Sequence, residues 1–171
     1  MKRCQHGFTL VEITAVLVLM AIISAYVIGR SIGTEQIDLA GQTDKIRNQI
    51  RYAQATAMKQ SNRIWGIKSD TNQYWLFSVP IPVTPGDEDQ AVNQRILPGE
   101  NSNTIAFADL GLDPITQPFT LFFDRIGRPY DTYIDEGNPG NAPRNSDLVI
   151  TVSAGGNTRL IRVKPETGLV Q

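Results

Sequence analysis

The sequence predicts an α+β fold: a long N-terminal helix in two halves, the first apolar all round and the second amphipathic, packed by its second half on an antiparallel β-sheet. Three observations predict it. Residues 8–29 form an apolar run whose sole charged member is Glu12. Residues 39–57 carry apolar side chains at steps of four and three, the period of a one-sided helix. From residue 63 onward short β-rich runs alternate with glycine- and proline-marked turns. Helix first and strands afterwards, rather than an alternation of the two, is the order of an α+β domain.

The bulk numbers fit one domain with an appendage. A chain of 171 residues can bury a core of its own. Charged residues make up 19% and hydrophobic ones 41%, so most of the chain reads as ordinary globular protein. The formal net charge of −1 gives no support for a general polyanion binder. Cys4 and His6 are the only cysteine and histidine, and both precede the apolar run. A chain without its first seven residues could form no disulfide, no thiolate zinc site and no histidine-based catalytic pair. We therefore expect no cofactor and no enzyme, although lysine-assisted serine chemistry stays open on sequence alone.

At about 1.5 Å per residue, a helix over residues 8–29 is roughly 33 Å long, enough to cross a bilayer's hydrocarbon core. Lys2 and Arg3 lie ahead of it and only Arg30 close behind, which predicts the N-terminus inside and the rest outside. A cleaved secretory signal would place small residues at its end, and Ser24-Ala25-Tyr26 and Gly29-Arg30-Ser31 are poor sites. A lipoprotein signal would place its cysteine after the run, whereas Cys4 comes before it. Glu12 is the informative residue, because a carboxylate inside an apolar span costs about 2.5–3.5 kcal/mol. It could sit at headgroup level near the positive helix end. Alternatively, cutting after Gly7 would create an ammonium group on Phe8 for Glu12 to pair with, on its own chain or a neighbour's.

Gly7-Phe8-Thr9-Leu10-Val11-Glu12, behind a short basic leader and ahead of an apolar run, closely resembles the type III signal of type IV prepilins. The resemblance implies that a prepilin peptidase cuts after Gly7 and methylates Phe8, and that Glu12 serves membrane extraction and subunit alignment. It also implies a pilin fold, with residues 1–7 as leader, 8–30 as transmembrane and filament-core helix and 31–171 as periplasmic domain. The implied location is the bacterial inner membrane, crossed once with the N-terminus cytoplasmic, and then a filament. Implied partners are other pilin or pseudopilin subunits, the peptidase, the inner-membrane assembly platform and membrane lipid.

Gly29, Gly33 and Gly41 follow, each lowering helix stability by about 1 kcal/mol relative to alanine. Many type IV pilins are similar in having a helix breaker near the place of Gly29, so this is either a bending point or a plain linker. Leu39, Thr43, Ile46, Ile50, Ala53 and Ala57 then form one stripe on a helix expected to reach about Gln60. Lys45, Arg47, Arg51 and Lys59 fall off it. Residues 64–69 and 74–79 read as a hairpin around 70–73. The proline-marked stretch 80–103 reads as a surface excursion. Strands are expected at 104–108 and 119–123, a turn at 124–129 and a second long loop at 130–146. Residues 147–153 and 158–163 read as a last hairpin around 154–157, with Pro165 and Gly168 limiting any further strand. The aromatics Trp65, Tyr74, Trp75, Phe77, Phe122 and Phe123 are expected to pack the sheet, some facing outward for subunit contacts.

Phe122-Phe123-Asp124-Arg125-Ile126-Gly127-Arg128-Pro129, with the later Val163-Lys164-Pro165-Glu166-Thr167-Gly168, resembles H-type minor pseudopilins and FimT-like or MSHA-type minor pilins. Two further groups could bind ligands. Asp87, Glu88 and Asp89 could meet a hard cation, but three consecutive acids cannot all point inward and calcium needs six to eight oxygens. Arg159, Arg162 and Lys164 could meet nucleic acid, as in some FimT-like DNA-uptake pilins, but the basic face is thin. The best reading is a minor pilin or pseudopilin of a type II secretion pseudopilus or a type IV, MSHA-like, pilus. The rivals are a membrane-tethered periplasmic binding module and a DNA-uptake minor pilin.

Overall fold

The computed structural model describes residues 10–31, 34–60 and 62–171, and the side chains within them except those of 25–31 and 34–37. The chain divides into two compact units, Met1–Ile37 and Asp38–Gln171. The fold class is α+β, as expected: two helices, then antiparallel strands.

In the first unit, helix α1 spans Leu10–Ser31. Its large apolar side chains from Leu10 to Ile23 are 50–79% exposed, so the helix offers apolar surface on every side. Gly29 does not end it, since α1 runs on to Ser31. One glycine costs only about 1 kcal/mol, which flanking helical hydrogen bonds can carry. Gly33 lies outside the described residues, and Gly41 lies inside the next helix. Among the described residues, no helix is long and apolar enough to cross a membrane. The apolar side chains described, over residues 10–24, cover only about 22 Å at ~1.5 Å per residue.

Helix α2 spans Thr34–Ala57. Within the second unit its expected stripe is its buried face: Leu39, Thr43, Ile46, Ile50, Ala53 and Ala57 are all at most 3% exposed. Thr43 needs no other polar partner, because its Oγ1 donates to the Leu39 carbonyl at 2.6 Å. The helix stops at Ala57, short of Gln60, where Lys59 N–H already bonds to Thr56 O in a tightened last turn.

Strands β1 (Arg63–Ser69) and β2 (Gln73–Pro80) form the expected hairpin, in register from Arg63↔Pro80 to Ser69↔Tyr74. Asp70 holds its turn, Oδ1 accepting from the N–H groups of Asn72 and Gln73. The remaining strands of the main sheet are β3 (Gln94–Arg95), β4 (Thr104–Ala106), β5 (Phe119–Phe123), β6 (Pro129–Thr132) and β7 (Ala142–Pro143). The order is β3-β2-β1-β5-β6-β7, with β4 also pairing β2. Strands β8 (Leu148–Ala154) and β9 (Asn157–Val163) make the expected last hairpin, as a separate two-stranded sheet.

Alternation along the central strands explains why both faces of the main sheet are covered. Trp65, Ile67, Tyr74, Leu76, Leu121 and Phe123 point one way and join the α2 stripe in a core that also takes in Ile150, Val152, Ile161 and Val163 of the hairpin. Ile64, Trp75, Phe77, Val79 and Phe122 point the other way and need their own cover. Two expected loops supply it, which corrects the reading of the first as a surface excursion and of the second as loop throughout. In 80–103, Val83 packs on the far face, Leu97 joins the α2-side core, and β3 extends the sheet. In 130–146, Tyr133 is buried on the far face, and β6 and β7 pair with each other. The aromatic expectation is corrected too: all six are buried inside the domain, leaving none of them outward.

Candidate functional site

Of the N-terminal signal, Gly7 and Phe8 lie outside the described residues. Glu12 stands in the first turn of α1, among the exposed Leu10, Val11, Ile13, Val16 and Leu17. A carboxylate there is favoured by the partial positive charge of the helix N-terminus.

In the second unit, the two segments of the looser motif, 122–129 and 163–168, meet although residues 130–162 separate them in sequence. Asp124 is buried and ties the turn after β5, its Oδ1 accepting from the N–H groups of Ile126 at 2.9 Å and Arg128 at 2.8 Å. Gly127 closes that turn with φ +82°, a conformation other residues adopt at a cost. Gln54 then reaches from α2 to both segments: its Nε2 donates to Gly127 O and Thr167 O, each at 2.9 Å. Arg51, a turn earlier, donates to Val170 O at 2.8 Å. The C-terminal residues are held further by paired backbone bonds between Arg162 and Gln171. Sequence reasoning did not single out Gln54. Its one signal was position, four residues after Ile50 and three before Ala57, at the border of the buried stripe.

The acidic group does not converge. Asp87 accepts from Thr84 N–H and from Gln90, Glu88 accepts from Gly86 N–H, and Lys68 lies 3.1 Å from Glu88 and 2.6 Å from Asp89. Burial alone would lower the pKa of the Lys68 ammonium, but its bonds to Asp89 and Glu88 outweigh that and hold it above the usual lysine value. Among the described residues, no cluster of three histidine, cysteine or carboxylate side chains could hold a metal ion.

Nor does the basic group form one face. Arg159 and Arg162 are three apart on β9 and therefore fall on opposite sides of the hairpin. Lys164 pairs with Asp147 at 2.7 Å.

A polar chain links α2 to the stretch before β4. Tyr74 Oη donates to Gln49 Oε1 at 2.7 Å, Gln49 Nε2 donates to Glu100 at 2.9 Å, and Lys45 reaches the same Glu100 oxygen at 2.6 Å. Burial, and to a lesser degree the Glu100 charge, pushes the Tyr74 phenol well above its usual pKa.

Residues 2–28 match the family model described as the prokaryotic N-terminal methylation motif. No curated protein and no solved structure matches the chain.

Proposed function

We propose, starting from a chain that carries a type IV prepilin signal, that this protein is a minor pilin or pseudopilin that joins a periplasmic filament through its N-terminal helix. The observation that carries the reading is the methylation motif at residues 2–28, set on a helix whose apolar side chains are exposed all round. Such a helix needs an apolar surrounding, first lipid and then neighbouring helices of the same kind. The α+β unit from Asp38 onward has a core of its own, as a domain carried on a filament surface requires.

In this reading Gly7 is the cleavage position, Phe8 the methylated terminus and Glu12 the assembly contact. Residues 8–30 form the membrane and filament helix, and 31–171 the periplasmic domain. The partners are other pilin or pseudopilin subunits, the prepilin peptidase, the assembly platform and lipid. The looser motif around Gly127 and Gly168 favours an H-type, FimT-like or MSHA-type subunit. Family likeness points to a structural subunit rather than an enzyme.

N-terminal mass analysis of protein extracted from membranes tests it. The expected mature chain begins with methylated Phe8 and lacks Cys4 and His6. A chain still beginning at Met1, in a host with an active prepilin peptidase, overturns the reading.

A further inference from the structure

The outer edge of β9 is half filled. Arg162 N–H donates to Gln171 O at 2.9 Å and Gln171 N–H donates to Arg162 O at 2.8 Å, with Val163 opposite Val170. The main-chain groups of Arg162 therefore point away from β8. Such groups alternate sides along a strand, so those of Leu160 and Thr158 also point outward, while Ile161, Arg159 and Asn157 face β8. The hairpin is a sheet of two strands, and among the described residues no hydrogen bond reaches the outward N–H and C=O of Thr158 or Leu160.

Several devices that blunt a strand edge are missing here. No proline or lysine stands in Asn157–Val163, and the register with β8 runs without a bulge. Thr158, Arg159 and Leu160 are exposed in succession, Leu160 at 45%, so both faces of β9 are open at this point. An antiparallel strand continuing the direction of Val170-Gln171 would exchange both main-chain bonds with Leu160 and again with Thr158. Its residues opposite those two share their outer face, and the residue between stands opposite Arg159 on the other face. Arg159 enters no ion pair with an acid of the described residues.

We infer that the Thr158–Leu160 edge of β9 is a strand-addition site for an extended segment of a partner protein, one that carries a carboxylate between two β-branched residues. Charge selects this occupant. A carboxylate directly opposite Arg159 is attracted and a basic residue is repelled. The same charge disfavours a second copy, because two β9 edges paired through Leu160 and Thr158 would set Arg159 opposite Arg159. The β-branched residues suit the outer face beside Thr158 and Leu160. The site goes beyond the prepilin reading and stands whether or not the chain polymerises.

The test uses the full chain in detergent micelles and a fluorescein-labelled Thr-Val-Glu-Val-Thr peptide, read by anisotropy. The comparison probes are the same peptide N-methylated at both valines, which removes its two inward donors, and Thr-Val-Lys-Val-Thr. Saturable binding of the acidic peptide is expected, with none by the methylated one and about tenfold weaker binding by the lysine one. Arg159→Glu should reverse the preference between the glutamate and lysine peptides. Leu160→Pro removes an outward N–H and no bond to β8, so it should abolish binding while circular dichroism shows the chain folded. Should that variant fail to fold, the methylated peptide still decides whether main-chain pairing is used. Absence of saturable binding, equal binding of the methylated peptide, or an unchanged preference in folded Arg159→Glu would each overturn the inference. So would a mass that doubles with concentration in the wild type but not in folded Leu160→Pro, which would assign the edge to a second copy.

Discussion

Gly127 and Gly168 stand back to back: a Cβ on Gly168 would come 2.4 Å from the Gly127 carbonyl oxygen and 2.5 Å from Gln54 Nε2. Both glycines have positive φ, +82° and +64°. The approach is what lets one amide of α2 hold the turn after β5 and the turn after β9 together. A tie of this kind fixes where the C-terminal residues lie against the helix.

Gly168→Ala should therefore cost at least ~2 kcal/mol, from left-handed strain plus collision with backbone. Gln54→Ala should cost about 1 kcal/mol by leaving two carbonyls without this donor. The two changes break the same junction, so the second should cost less in the presence of the first. Urea titrations of the wild type, both single variants and the double variant measure this. Strict additivity would mean that the junction does not act as a unit.

A second close approach lies inside the sheet. Gly66 of β1 faces Phe77 of β2 and Phe122 of β5, and those two rings meet edge to face at 5.0 Å. A Cβ at Gly66 would lie 2.3 Å from both Leu121 O and the Phe77 ring. Gly66→Ala should destabilise the domain by about 1–3 kcal/mol through overpacking. Phe77→Leu in the same chain should restore only part of that, because the Leu121 contact is backbone and cannot turn aside. Thermal unfolding of the pair of variants gives the answer, and full rescue by Phe77→Leu would refute the backbone part of the argument.

The α2 stripe was legible because it has a single period and a single buried side, and each residue from Leu39 to Ala57 on it is in the core. The stretches 80–103 and 130–146 were misread because glycine and proline density was weighed and two-sided burial was not. Ile64, Trp75, Phe77 and Phe122 already require a second apolar layer. The residues that supply it, Val83 with Ile81 and Tyr133 with Tyr130, lie in short runs broken by prolines, glycines and acids, which read as loop. Gln54 was illegible for another reason. Its partners lie 73 and 113 residues away, and a glutamine at the border of a stripe looks like any solvated one.

Tyr74 makes stability depend on alkaline pH. Its phenol is raised above the ordinary value near ~10, so the folded state keeps the proton when the unfolded chain begins to lose it. Its contribution is fully present below that pH and is lost as pH rises toward the folded value, by up to about 1.4 kcal/mol per pH unit. Tyr130 and Tyr133 are raised also, chiefly by burial, and act in the same direction. Tyr74→Phe should cost about 1 kcal/mol at neutral pH through the lost bond to Gln49. Its deficit should shrink at higher pH, because phenylalanine has no proton to lose. Denaturant titrations at neutral pH and above pH ~10 compare the two chains. A deficit that stays constant would mean that Tyr74 ionises in the folded state as readily as in the unfolded one.

Glu12 separates a polymerising subunit from a tethered receptor. If it pairs with the Phe8 amine of a neighbour during assembly, Glu12→Leu removes a costly charge from an apolar helix and should not impair insertion. The same change leaves the neighbour's ammonium uncompensated as the helices enter an apolar filament interior, where such a charge is expensive. Glu12→Leu should therefore be made, cleaved and held in the membrane normally, yet fail to enter filaments. Glu12→Asp should be milder, because it keeps the charge and shortens the reach by one methylene. Fractionation of sheared filaments beside the membrane pool, for wild type and both variants, reads the difference. Assembly of Glu12→Leu at the wild-type level would remove the carboxylate from the assembly contact and favour a receptor that stays in the membrane.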